Sequence, residues 1–239
     1  MKIAITGSSG YLASCLIPLL EKESSIKEIV GIDVAPSKKQ YSKFTFQRVS
    51  VLDTKALENI FGGVDCVVHL AFNINGMHNK KLLEQLNLEG SRSVIRAVAS
   101  SPRVKKLVFS SSIAAYGAHG DNPVPLTEES PLKGKGTFFY ADQKHRLEED
   151  LNEFEKKYPE KSIVRLRLCT TTGPTAYNET VTLYTAPLFI AFPFNQPPVQ
   201  LLHEEDAARG FLLAILRNVR GAFNLGSDWD YSSKQHAQI

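Results

Sequence analysis

The most constraining feature is a glycine loop near the amino terminus. Gly7-Ser8-Ser9-Gly10-Tyr11-Leu12-Ala13 follows an isoleucine-rich run at 2–6 and opens a segment of helical spacing at 11–22. Strand, glycine turn and helix in that order bring a backbone close to a ligand, because glycines allow a tight turn and leave no side chain in the way. The helix start then offers amide N–H groups and the positive end of a dipole to an anion. Gly7, Ser9, Gly10, Tyr11 and Leu12 are therefore candidate contacts to the pyrophosphate of a dinucleotide, and Ala13 is small enough to let the helix pack near the strand. Asp33 follows the second predicted strand, 28–32. An acid there accepts hydrogen bonds from the ribose hydroxyls of NAD and repels the extra phosphate of NADP. NAD is thus the expected cofactor and NADP the less favoured one, with Lys38 and Lys39 close enough in sequence to serve a phosphate.

The rest of the chain repeats the alternation. Strands are expected at 44–48, 65–70, 104–110, 162–168 and 222–225, and helices at 54–61, 80–99, 138–158 and 204–216. The run 65–70 is apolar throughout, as in a strand buried on both faces. Such alternation predicts an α/β fold, a Rossmann-type doubly wound parallel sheet with a small C-terminal substrate-binding portion. The expected division is a dinucleotide-binding domain at 1–168 and a short mixed portion at 169–239 packed on it. Pro187, Pro193, Pro197 and Pro198 punctuate the latter, and the polar tail at 232–239 is expected to fray.

Composition excludes other classes. A formal charge of +3 is too small to imply nucleic acid, and Lys38-Lys39 and Arg103/Lys105/Lys106 read as solvated surface. Cys15, Cys66 and Cys169 are odd in number and lie among apolar residues, which predicts buried thiols in a reducing compartment. No run is long enough to span a membrane. Segment 11–20 superficially resembles a signal peptide but reads better as an amphipathic helix, so a cytoplasmic location is expected. His69, His78, His119, His145 and His203 show no metal-ligand spacing, and no metal is expected.

Tyr140 and Lys144 stand four apart on a predicted helix and share a face. An ammonium beside a phenol lowers the phenol from its ordinary value of about 10. Tyr140 could then exchange a proton with a substrate hydroxyl while Lys144 holds the nicotinamide ribose. Ser112 lies past the 104–110 strand, at the edge where ligands of such sheets bind, and could hold the same substrate oxygen. Asp53 either contacts the adenine amine or caps the helix at 54–61. Arg165 and Arg167 alternate with apolar residues, and a surface salt bridge is the expected role.

Together these residues resemble the extended short-chain dehydrogenase/reductase family, the NAD-dependent epimerase/dehydratase group. The loop at 6–13 resembles its TGxxGxxG/A element. Val68-His69-Leu70-Ala71 resembles the VxHLA strand, which implies that Leu70 and Ala71 line the cofactor. Asn87-Leu88-Glu89-Gly90-Ser91 resembles NxxGT, and the segment from Phe109 to Gly117 resembles FxSSxxxYG, which places the catalytic serine at Ser112. Tyr140 and Lys144 fill YxxxK, Arg167 opens a segment like RxxNxxGP, and Asn224-Leu225-Gly226 resembles NxG. The pattern departs at Thr170, where the family usually has Asn, and at Ile113-Ala114, where sugar dehydratases carry an Asp-Glu pair. The stretch between Gly173 and His203 is also shorter than in nucleotide-sugar enzymes.

The resemblance implies hydride transfer at a secondary alcohol or ketone of a sugar or nucleotide sugar, as an epimerase performs it. A dehydrogenase or reductase of a smaller substrate is the alternative, and a non-catalytic dinucleotide-binding regulator is the rival from another class. A homodimer through 80–99 and 138–158 is compatible with both helices.

Overall fold

The computed structural model describes residues 1–37, 40–74, 79–176, 199–228 and 230–231. Lys38, Lys39, His78, the proline-punctuated stretch 177–198 and the tail 232–239 lie outside the described residues.

Successive apolar residues of each strand are buried in opposite directions. In β1 (Lys2–Thr6), Ile3 and Ile5 enter one core and Ala4 the other. The same split recurs in β2 (Glu28–Asp33), β4 (Cys66–His69), β5 (Lys106–Ser112) and β6 (Ser162–Leu168), so both faces of the sheet need a helical cover. One core is closed by α1 (Tyr11–Lys22) and α6 (Glu204–Leu216), through Leu16, Leu20, Ala207 and Phe211. The other is closed by α2 (Thr54–Phe61), α4 (Gly90–Ser100) and α5 (Phe139–Lys157), through Phe61, Val94, Val98, Leu147 and Leu151.

With β3 (Phe44–Arg48) and β9 (Gly221–Leu225), these strands form a seven-stranded sheet in the order β3-β2-β1-β4-β5-β6-β9. Every pairing in it is parallel, as expected of a Rossmann-type fold. The chain reverses its lateral progress between β1 and β4, and ligands of such sheets bind outside the carboxyl ends at that point. Among the described residues, no helix is long and apolar enough to cross a membrane.

Several expectations change in detail. The single helix at 80–99 is α3 (Lys80–Glu84), a π-helical turn Gln85–Glu89 and then α4. Gly90 opens α4 where a Cβ would stand 2.6 Å from Val51 Cγ2, so helix and loop touch there only without a side chain. Residues 204–225 return to the main sheet: α6 packs against α1, and β9 pairs with β6 from Val164↔Gly221 to Leu168↔Leu225. What leaves that sheet is β7 (Thr170–Thr172) and β8 (Val199–His203), which pair in parallel, with β10 (Asp230–Tyr231) antiparallel to β8. Lys106, expected on the solvated surface, donates instead to Ala214 O at 2.9 Å near the end of α6. Cys66 and Cys169 are buried, but Cys15 is only half-buried, because its helix position borders a cleft beside Thr175.

Candidate active site

The glycine loop crosses the carboxyl end of β1. Gly7 has φ +73, and a Cβ there would lie 2.6 Å from the amide nitrogen of Ala71, so both conformation and space demand glycine. Its N–H donates to Ile32 O at 2.9 Å, which ties the turn to β2, and Gly10 N–H donates back to Gly7 O at 3.0 Å. Ser14 is the first residue of α1 whose N–H reaches a helical acceptor, Gly10 O at 3.0 Å. The N-cap Gly10 offers no side chain, and the first turn holds no acid. Ser8 Oγ is buried without a hydrogen-bond partner among the described residues. An uncapped helix start of this kind suits an anion, so the loop fits the phosphates of a dinucleotide.

Around it, Asp33 accepts from Ser9 N–H and from Ala35 N–H, both at 3.1 Å, so this carboxylate shapes the loop. Leu70 N–H donates to Thr6 O at 3.0 Å, and Ala71 presses against Gly7. Leu12 packs at the edge of the core, so its backbone is the part near the loop. Tyr11 turns its hydroxyl away toward α6 and donates to Glu204 Oε2 at 2.7 Å. Burial raises that phenol, and Glu204 raises it further. The exposed Asp53 caps α2, accepting from Ala56 N–H at 3.0 Å.

Ser112, Tyr140 and Lys144 come together at the carboxyl end of β5. Ser112 Oγ accepts from Ala114 N–H at 3.1 Å and donates to Leu168 O at 3.4 Å. Tyr140 lies in the first turn of α5, half-buried, with its ring edge-on to Phe72 at 5.6 Å. Lys144 is buried; its ammonium donates to Ser110 O at 2.8 Å and lies 3.7 Å from the Phe72 ring centre. Burial pushes it down to about 7, against the pull of Glu148. The expected lowering of the Tyr140 phenol is corrected here: burial raises it, and the Ser112 hydroxyl works the other way. The reason is geometric, since Lys144 is directed to Ser110 and sits 5.6 Å from the centre of the Tyr140 ring. His69 is held between Thr6 Oγ1 at 2.6 Å and Ser91 Oγ at 2.9 Å, and burial pushes it down to about 3, so it serves as a neutral wall.

Arg165 and Arg167 also require correction. Both are buried rather than on the surface, because β6 is covered by α5. Arg167 grips Glu148 with Nε at 3.1 Å and Nη2 at 3.0 Å, and Nη1 donates to Tyr116 OH at 2.7 Å. Tyr116 donates in turn to Asn224 Oδ1 at 2.8 Å. Asn87 entered only as part of the NxxGT resemblance, and two further residues, Phe72 and Glu148, went unread. Asn87 in the π-helical turn clamps Asn73 through its N–H at 2.9 Å and its carbonyl at 3.0 Å, and donates to Gln143 Oε1 at 2.9 Å. Phe72 directly follows Val68-His69-Leu70-Ala71, and Glu148 is four residues past Lys144; helical spacing could have found the second, but nothing in the pattern marks the first.

The NAD dependent epimerase/dehydratase family model matches residues 3–226. An uncharacterized protein of Mycobacterium tuberculosis is 27% identical over 236 residues, covering 95% of this chain and 62% of that protein. The UDP-glucose 4-epimerase of Yersinia enterocolitica is 33% identical over 180 residues, covering 70% of this chain and 52% of that enzyme. The chain thus spans between about half and two thirds of the length of these two relatives. In fold, it superposes with a TM-score of 0.82 and 22% identity on UDP-glucuronic acid 4-epimerase from Bacillus cereus in complex with NAD, covering 98% of this chain and 81% of that one.

Proposed function

The chain belongs to the NAD dependent epimerase/dehydratase family, and on that premise we propose that it moves hydride at a secondary alcohol carbon of a sugar, with a nucleoside diphosphate sugar as the substrate class. The observation that carries this reading is the meeting of Tyr140, Lys144 and Ser112 beside the glycine loop. Gly7, Ser9, Gly10, Tyr11 and Leu12 present backbone to the pyrophosphate of NAD, Asp33 takes the adenosine ribose, and Leu70 and Ala71 floor the site. Bound NAD would supply a hydride acceptor and, in an epimerase, the hydride returned to the other face. Tyr140 takes the proton from the substrate hydroxyl and gives it back. Ser112 donates to the same oxygen, and Lys144 holds the nicotinamide ribose. Residues 170–172 and 199–203 pair outside the main sheet, and this reading assigns them to the substrate. Ile113 and Ala114 supply neither acid nor base, which argues against 4,6-dehydration.

The short span between Gly173 and His203 favours a second reading, an NAD-dependent dehydrogenase or reductase of a smaller carbonyl or alcohol. Native purification followed by mass spectrometry of the bound ligand separates the two, since retained NAD with no net turnover belongs to the epimerase cycle. The decisive assay incubates the protein with UDP-sugars and follows inversion at the carbinol carbon. Tyr140→Phe is expected to lower that rate by about 10²–10⁴-fold while still binding NAD. A Tyr140→Phe variant as active as wild type would overturn the role given to Tyr140, and a wild-type protein that binds NAD but inverts no sugar would leave only a dinucleotide-binding regulator.

A further inference from the structure

Glu148 is the third residue of the face that carries Tyr140 and Lys144, which stand eight and four positions before it on α5. It is fully buried, at 0% exposure. Ser111 Oγ donates to its Oε1 at 2.5 Å, Arg167 holds both its oxygens, and Arg165 Nη1 lies 3.7 Å from Oε2. Arg165 has a second carboxylate, Glu155 at 2.8 Å. Among the described residues, Lys144 has no carboxylate within 4.0 Å; its ammonium meets only Ser110 O and aromatic faces. Three consecutive serines at the end of β5 therefore answer three residues of α5. The Ser110 carbonyl holds Lys144, the Ser111 hydroxyl holds Glu148, and the Ser112 hydroxyl faces Tyr140.

We propose that Glu148 is a positioning residue for the site: through Ser111 and Arg167 it seats α5 on β5 and β6, and it sets a negative charge one helical turn from the Lys144 ammonium, where it favours the cation. A purely structural buried pair would do only the first. Burial alone drives Lys144 down, and Glu148 is the group that opposes it. The other charged or titratable groups facing Lys144 cannot take over. His69 on β4 is neutral, Tyr140 on α5 is raised, and the β6 guanidinium groups of Arg165 and Arg167 are engaged by Glu148 and Glu155. The inference rests on reading Lys144 as part of the site.

The test reads the lysine itself. Trace acylation with acetic anhydride across a pH series, followed by mass spectrometry of the Lys144 peptide, gives the midpoint at which the amine becomes reactive. Glu148→Gln alone strands buried guanidinium charge and can unfold the protein, so the informative variants are Arg167→Met and the charge-balanced Glu148→Gln/Arg167→Met. The double variant is expected to lower the Lys144 midpoint by about one pH unit, while Arg167→Met, which keeps the carboxylate, does not lower it. An unchanged midpoint in the folded double variant overturns the proposal. So does an equal fall in both variants, because it marks a general loosening of the helix. A protein that turns over no nucleotide sugar still reports this midpoint, so failure of the epimerase reading and failure of this inference are told apart.

Discussion

The ammonium of Lys144 rests 3.7 Å from the centre of the Phe72 ring, in a pocket where its hydrogen bond to Ser110 O is made away from water. Such a site tolerates a cation at the expense of stability. Lys144 is lowered from 10.5 to about 7, chiefly by burial, so the unfolded chain binds its proton more tightly than the folded one. The penalty on the folded state is full below about pH 7 and fades as pH rises toward 10.5, since stability rises wherever the unfolded state holds more protons. At about 1.4 kcal/mol per pKa unit, that penalty amounts to several kcal/mol. Lys144→Met should therefore raise Tm, more at about pH 6 than at about pH 10, while abolishing activity. Thermal melts at the two pH values decide it, and a lower Tm at both would mean that the ammonium stabilises its own pocket.

Gly7→Ala should be far more damaging than Gly10→Ala. At Gly7 a methyl group meets the Ala71 backbone at 2.6 Å on top of a φ of +73, whereas at Gly10 the nearest atom is Gly7 O at 3.1 Å. The left-handed conformation alone costs about 1–3 kcal/mol for an L residue, and backbone cannot move aside as a flexible side chain does. Chemical denaturation and NAD titration of both variants test this. The expected result is a loss of both stability and affinity in Gly7→Ala, and milder effects in Gly10→Ala.

The sheet and its ligand edge were legible because two-faced apolar strands and glycine punctuation are local signals. Ile3, Ala4 and Ile5 in β1, and Val67 and Val68 in β4, declare strands covered on both sides without any knowledge of their partners. Tyr140 and Lys144 were legible for the same reason, since helical spacing alone puts them on one face. The misread charged groups involve partners distant in sequence. Arg167 looked like a surface residue because its carboxylate, Glu148, comes from a different element, and Lys106 because its acceptors lie on α6. The reversal of the Tyr140 shift has the same origin: spacing says that Lys144 shares its face, but only the fold shows that Ser110 claims the ammonium and that burial outweighs charge.

Asp33 combines two tasks that substitution can separate. Its carboxylate receives Ser9 N–H and Ala35 N–H, and it stands at the end of β2 where an adenosine ribose is expected. Asp33→Asn keeps one amide oxygen as acceptor but removes the charge that repels a 2′-phosphate. NAD affinity is expected to fall about tenfold, by one charge-assisted hydrogen bond of roughly 1.5 kcal/mol, while NADP binding improves relative to it. Titration with both cofactors reads the ratio. A clear wild-type preference for NADP would overturn the assignment of Asp33 to the ribose.

Asp53 offers the converse case, a residue whose place in the fold accounts for it before any ligand does. Its Oδ1 takes Ala56 N–H at 3.0 Å, which caps α2, and that helix fastens Leu57 and Phe61 into the core. Asp53→Ala should lower stability by about 1 kcal/mol, and Asp53→Asn, a comparable cap, should recover most of it. If the carboxylate also receives the adenine amine, the two variants part company in NAD binding as well as in stability. The amide of Asn can turn its oxygen either to the cap or to the adenine, and Ala can serve neither. Urea denaturation and NAD titration of both variants therefore assign the two roles independently. The expected outcome is a stability loss confined to Asp53→Ala, and an NAD affinity equal to wild type in Asp53→Ala would leave the cap as the whole of its contribution.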